Sequence, residues 1–99
     1  MKINKTLAGN TLTIGLEGRL DTTTAPDLDQ ELKASLADVT ELIFDFAQLE
    51  YISSAGLRVL LSAQKTMSKQ GNMKIRHANE MIMEVFDVTG FTDMLNIEK

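Results

Sequence analysis

Apolar and polar residues alternate from the start of the chain. Ile3 to Leu7 reads as a short strand, and Ala8-Gly9-Asn10 is turn chemistry, since Gly and Asn tolerate positive φ. Leu12, Ile14 and Leu16 then alternate with Thr11, Thr13 and Gly15. That period of two predicts a half-buried strand, and the pair predicts a hairpin. From Thr24 to Ala37 the period changes. Leu28, Leu32 and Leu36 recur on one face of a helix, with Asp29, Gln30, Glu31 and Lys33 on the other. Thr24 is a candidate N-cap, Pro26 suits the first turn, and Asp27 stands where a capping box has its acceptor.

Glu41 to Phe46 is a nearly continuous apolar run, which predicts a strand covered on both faces. A second helix is expected from Ser53 or Ser54 to about Gln70. Leu57, Leu60, Leu61, Gln64 and Met67 form its inner stripe, and Gly71-Asn72 ends it. Met73 to Arg76 is a short alternating strand. Asn79 then caps a third helix with Met81, Ile82, Val85 and Phe86 inward and Gly90 as its stop. Met94 to Ile97 is expected to form a last short strand. The order β-β-α-β-α-β-α-β predicts an α/β fold, a mixed β-sheet with helices packed mainly on one face and right-handed crossovers. With 99 residues the chain is expected to be one domain, 1–99.

Composition narrows the chemistry. There is no cysteine, so disulfides and thiolate metal sites are excluded. The first residues lack the apolar run of a signal peptide, and no stretch approaches the length of a membrane span. A cytoplasmic protein with no membrane contact is expected. The net charge of -4, with scattered basic residues and few aromatics, argues against direct nucleic-acid binding. His77 is the only histidine, and a strand-end surface residue is expected in place of a metal ligand or phosphocarrier. Six methionines are many. Met67, Met73 and Met81 are expected to fill the core, while Met81 and Met83 stand on opposite sides of the third helix.

The segment richest in information is Leu49 to Leu60. It joins a buried strand to a helix start, where free N–H groups and the macrodipole favour negative charge. A phosphate on Ser54 would find a receptive setting there. Gly56, without a side chain, would leave room for a partner's backbone or a nucleotide phosphate. The competing reading makes these serines plain N-caps. Asp21 likewise reads either as a turn residue or as an acidic group near Ser54, with Asp45 a weaker candidate of the same kind. Ser54 as a hydrolase nucleophile lacks the spacing of a nucleophile elbow.

Tyr51-Ile52-Ser53-Ser54-Ala55-Gly56-Leu57-Arg58 resembles the phosphorylation loop of bacterial anti-sigma factor antagonists, which are stand-alone STAS domains. Gly18-Arg19-Leu20-Asp21, the strand Leu42 to Phe46 and Phe86-Asp87-Val88-Thr89-Gly90-Phe91 extend the resemblance along the chain. The resemblance implies a binding module, not an enzyme, monomeric when free and with no cofactor of its own. The unphosphorylated form would bind an anti-sigma factor that is also a serine kinase, with the ATP fold of histidine kinases, and so free a sigma factor. Phosphorylation at Ser54 would release it, and a serine phosphatase would reset it. Many family members carry Asp at the position of Ser53, so Ser53 remains an alternative acceptor. The implied partner surface comprises Asp21, Ser53, Ser54, Ala55, Gly56 and Arg58. Two other readings stand beside it. One is a STAS subunit of a transport or sensory assembly without phosphorylation. The other is a small serine hydrolase or phosphocarrier.

Overall fold

The computed structural model describes residues 1–98. Strands β1 (Lys2–Ala8) and β2 (Thr11–Leu20) form the hairpin, and Gly9 takes a φ of 62° in its two-residue turn. Helix α1 (Ala25–Ser35) leads to β3 (Glu41–Ile52), and α2 (Ser54–Ser68) leads to β4 (Asn72–Arg76). Helix α3 (Glu80–Thr89) and a single-turn helix α4 (Phe91–Met94) lead to β5 (Asn96–Ile97). The sheet order is β1-β2-β3-β4-β5, antiparallel at β1–β2 and parallel elsewhere, which is the mixed sheet expected from the alternation of strands and helices. None of the described helices is long and apolar enough to cross a membrane.

One face of the sheet carries the core. Leu12, Ile14, Leu16 and Leu20 of β2, Leu42, Phe44 and Phe46 of β3, and Met73 and Ile75 of β4 are buried beneath the helices. The helices contribute Leu28 and Leu32, Leu57, Leu60, Ala63 and Met67, and Ile82 and Phe86. Helices do not cover β3 on both faces, as its apolar run suggests. Ile43 points to the other face and is still only 7% exposed, flanked in register by Thr13 and Lys74. Its neighbour Asp45 is half-buried on the same open face.

Strand β3 runs six residues beyond Phe46. Its register with β2 slips twice, between Gly15 and Glu17 and between Gly18 and Arg19, and each slip places an extra residue in β3. The bulges turn the buried positions from alternation to Phe46, Leu49 and Ile52, so the segment carries no strand period in sequence. Asp45 supports the first bulge by accepting a hydrogen bond from the Ala47 N–H at 3.0 Å. Opposite these bulges β2 also continues past Leu16, with Gly18 at a φ of 103°.

Other details differ from the sequence expectation. Thr24 occupies the N-cap position of α1 as expected, but its side chain makes no cap bond, and Asp27 completes no capping box. Thr24 is itself helical in conformation, and its hydroxyl is held by the turn before it. Met81 faces solvent at 56% exposure, while Met83 packs against the core and Met67 and Met73 are buried. Gln64 and Leu61 are only half-buried, because Val59 and Ala63 widen the inner face of α2 to their other side. Gly90 ends α3 as expected, in the left-handed conformation with φ 80°, but the chain then makes α4 before β5, and Met94 belongs to that turn.

Candidate functional site

Strands β2 and β3 are parallel, so their carboxyl ends lie side by side. Leu20 is paired with Ile52, and the Ser53 N–H donates to the Leu20 carbonyl at 2.9 Å. The turn at Asp21 and the start of α2 therefore leave the sheet at adjacent points. Such strand ends are where open α/β sheets gather their binding groups.

Ser53 is the N-cap of α2. Its φ of -100° and ψ of 175° are extended, and its hydroxyl oxygen accepts the Gly56 N–H at 3.4 Å. Ser54 is the first residue of the helix and is exposed, and its hydroxyl has no hydrogen-bond partner among the described residues. The first turn of α2 holds no acidic residue to satisfy its positive end. Arg58 is exposed one turn further along, at the four-residue spacing that places two side chains on one helix face. Ala55 is half-buried against the core.

Gly56 has a different role from the one its sequence suggests. It is buried, and a Cβ there would lie 2.7 Å from Leu20 Cγ and 2.9 Å from Ile52 Cγ1. The missing side chain makes room for the ends of β2 and β3, not for a partner. The first turn of α2 therefore packs closely on the ends of both strands.

Asp21 organises the neighbouring turn. Its Oδ1 accepts from the Thr23 N–H at 3.0 Å, the Thr23 hydroxyl at 2.7 Å and the Thr24 N–H at 3.2 Å. Its own N–H donates to Thr24 Oγ1, whose hydroxyl donates to the Arg19 carbonyl, both at 2.8 Å. The Thr23 hydroxyl, then the two backbone N–H groups, hold the Asp21 carboxyl below its ordinary range, so it is ionised at neutral pH. The turn reading of Asp21 is thus realised in the structure, its carboxylate engaged by Thr23 and Thr24. Asp45 is not part of this cluster. It lies seven residues before Ile52 on the open face, where His77 Nδ1 donates to it at 3.0 Å. His77 is exposed at the end of β4.

Two residues join the rim without having been singled out. Arg19 and Tyr51 are register partners, with the guanidinium carbon 4.3 Å from the ring centroid and Arg19 Nε 3.8 Å from Asp21 Oδ2. Their pairing depends on the second bulge, which sequence periodicity does not reveal.

Residues 2–99 match the STAS domain family. The chain belongs to the STAS family. Its relatives include the anti-sigma-B factor antagonist of Bacillus subtilis (strain 168), 28% identical over 89 residues, which span 89% of this chain and 82% of the relative. Among solved structures, an anti-sigma factor antagonist from Mycobacterium paratuberculosis superposes with a TM-score of 0.88 at 21% identity, covering 97% of this chain and 83% of that one. The Bacillus cell fate determinant SpoIIAA in its phosphorylated form superposes with a TM-score of 0.77 at 18% identity, covering 99% and 92%. These likenesses bear out the STAS fold and the antagonist resemblance read from the loop and its flanking motifs.

Proposed function

We infer that this STAS protein is an anti-sigma factor antagonist switched by phosphorylation of Ser54. The observation that carries the reading is the division of labour between the two serines. Ser53 spends its hydroxyl oxygen on the cap, whereas Ser54 is exposed at the helix start with its hydroxyl free among the described residues. The anti-sigma factor antagonist names of its relatives support the partner class. SpoIIAA, known in a phosphorylated form on the same fold, supports the type of switch.

In this reading the protein is a substrate and binding module, not an enzyme. The unmodified surface around Ser54, Arg58 and the Asp21 turn binds an anti-sigma serine kinase. The kinase supplies ATP and Mg²⁺. The Ser54 oxygen forms a bond to the γ-phosphorus as the bond to ADP breaks, and the hydroxyl proton passes to a base of the kinase. The product carries roughly -1.5 to -2 additional charge. At a helix N-terminus that charge is stabilised by about 0.3–1 kcal/mol, so the fold has no reason to open. A partner surface fitted to a neutral hydroxyl must instead bury an uncompensated charge, which costs several kcal/mol. Each 1.4 kcal/mol is about tenfold in affinity, so the kinase dissociates. A serine phosphatase hydrolyses the ester and restores binding.

The test is tandem mass spectrometry of wild type, Ser53→Ala and Ser54→Ala after incubation with the anti-sigma kinase recovered by pull-down, and ATP. One phosphate on Ser54, retained in Ser53→Ala and absent from Ser54→Ala, is expected. A phosphate on Ser53 alone, or none with a kinase that binds, refutes the assignment.

A further inference from the structure

Helix α3 buries Ile82 and Phe86 and packs Met83 and Val85 against the core. Its outer side is not polar. Met81 is 56% and Val88 81% exposed. Met81, Val85 and Val88 follow the spacing of one helical stripe and, with Glu84 and Thr89, line one shallow groove. The fold does not require apolar residues at positions 81 and 88, since both side chains are mostly exposed and neither belongs to the buried core.

The charge around this stripe is one-sided. From Glu80 to Ile97 the charged residues are Glu80, Glu84, Asp87 and Asp93, with no lysine or arginine. All four are exposed, and none forms an ion pair among the described residues. Removing them from the fourteen acidic residues of the chain leaves ten, equal to its ten basic ones. The whole net charge of the protein therefore resides on α3 and α4, around the most exposed apolar side chain of the chain.

We propose that the outer face of α3 is a docking surface for a basic amphipathic helix of a partner protein. An apolar stripe takes the apolar face of such a helix, with anchors at the i, i+3, i+4 and i+7 positions. Flexible Met81 adapts to the anchor that meets it. The free carboxylates pair with Lys and Arg at the rim, where complementary charge speeds encounter and excludes wrong partners. The same charge disfavours the other occupants. A second copy related by a two-fold axis brings acid to acid, and an anionic membrane surface repels the rim. This surface shares no residue with the Ser54 site, and it is independent of the state of that serine.

The full chain is titrated with a designed helical peptide bearing Leu on one face and Lys on the other, and with its counterpart in which Glu replaces Lys. Calorimetry gives affinities and amide chemical shifts give the location. Shifts centred on residues 80–89 are expected, with the Leu–Lys peptide bound at least about tenfold more tightly than the Leu–Glu peptide. Binding should weaken as salt is raised. Val88→Ser and Met81→Ser should each weaken it several-fold while Ser54→Ala leaves it unchanged. Both altered side chains are exposed, and unchanged thermal unfolding verifies that the fold persists. Failure of the Leu–Lys peptide to bind, equal binding of the two peptides, or shifts centred elsewhere overturns the proposal. So does self-association, or uptake by anionic vesicles, that Val88→Ser abolishes, because the occupant is then a second copy or a membrane.

Discussion

Replacing Gly56 by alanine tests the contact that joins fold to function. The added Cβ would lie 2.7 Å and 3.0 Å from Leu20 Cγ and Cδ2, and 2.9 Å from Ile52 Cγ1. Carbon atoms pack best at about 3.5–4.0 Å, so three contacts overlap by roughly 0.5–1 Å. None involves a freely moving chain end, because Leu20 and Ile52 are both buried where β2 and β3 terminate. Overpacking of this kind costs about 1–3 kcal/mol. Alanine regains up to about 1 kcal/mol over glycine in a helix, and less in its first turn. A net loss of about 1–2 kcal/mol follows, and at about 4–8 °C per kcal/mol for a domain this size the melting temperature should fall by about 5–15 °C. Urea and thermal unfolding measure it. A double-mutant cycle with Leu20→Ala locates the cause. Leu20→Ala alone costs about 2–5 kcal/mol. In the Gly56→Ala background it should cost less by about 0.5–3 kcal/mol, because the two substitutions relieve one clash. Anti-sigma binding should fall as well, since Leu20 and Ile52 directly precede Asp21 and Ser53. An unchanged or raised melting temperature, or strict additivity in the cycle, would refute the packing argument and return Gly56 to a role in partner access.

Ser53→Ala should lose about 0.5–1 kcal/mol in urea unfolding, the lower part of the N-cap range because its bond is long at 3.4 Å, while Ser54→Ala should be nearly neutral. A reversed order would contradict the cap assignment. Thr23 and Thr24 depress the Asp21 carboxyl, His77 depresses Asp45 and Arg76 depresses Glu98. A depressed carboxyl contributes stability that is present above its unfolded pKa of about 4 and lost as pH falls through its folded value. Melting temperature should therefore drop as pH is lowered below about 4, and less steeply in Asp21→Asn. Identical acid limbs would show that the Asp21 turn stores no such stability. At neutral pH Asp21→Asn should melt slightly below wild type, by the small share its charge supplies, since its amide oxygen still accepts from Thr23 and Thr24, while binding to the anti-sigma kinase drops. Unimpaired binding would remove Asp21 from the partner surface. Phosphorylation of Ser54 should shift amides near residues 20–24 and 52–58 only, and spread through α3 or β5 would mean that the switch acts by refolding.

Local chemistry decided much of this protein before any tertiary contact was known. The period of two at Leu12, Ile14 and Leu16, the four-residue recurrence of Leu28 and Leu32, and Gly90 past the end of α3 each specify their element through short-range sterics and a single buried face. The element order then restricts the sheet, because parallel strands need crossovers and hairpins do not. The serine pair before α2 was legible for the same reason, as a helix start has a local signature. The sequence motifs around Ser54 pointed to the STAS family, and the superpositions agree.

Tertiary structure decided what depends on groups distant in sequence. The second half of β3 has no strand period because two bulges reset which residues face inward, and the bulges exist only against β2. Thr24 has the composition of a cap, but its hydroxyl is claimed by Arg19 and Asp21, so the turn caps the helix in its place. Gly56 is required by Leu20, a side chain 36 positions away in sequence, through an approach no local pattern encodes. The helical period at Met81 is ambiguous between two faces, and the docking of α3 through Ile82 and Phe86 leaves it outward. The cap assignment of Ser53 follows the same rule. Both are serines at a helix start, and only the helix itself, once docked on the strand ends, captures one hydroxyl as its cap and leaves the other in solvent.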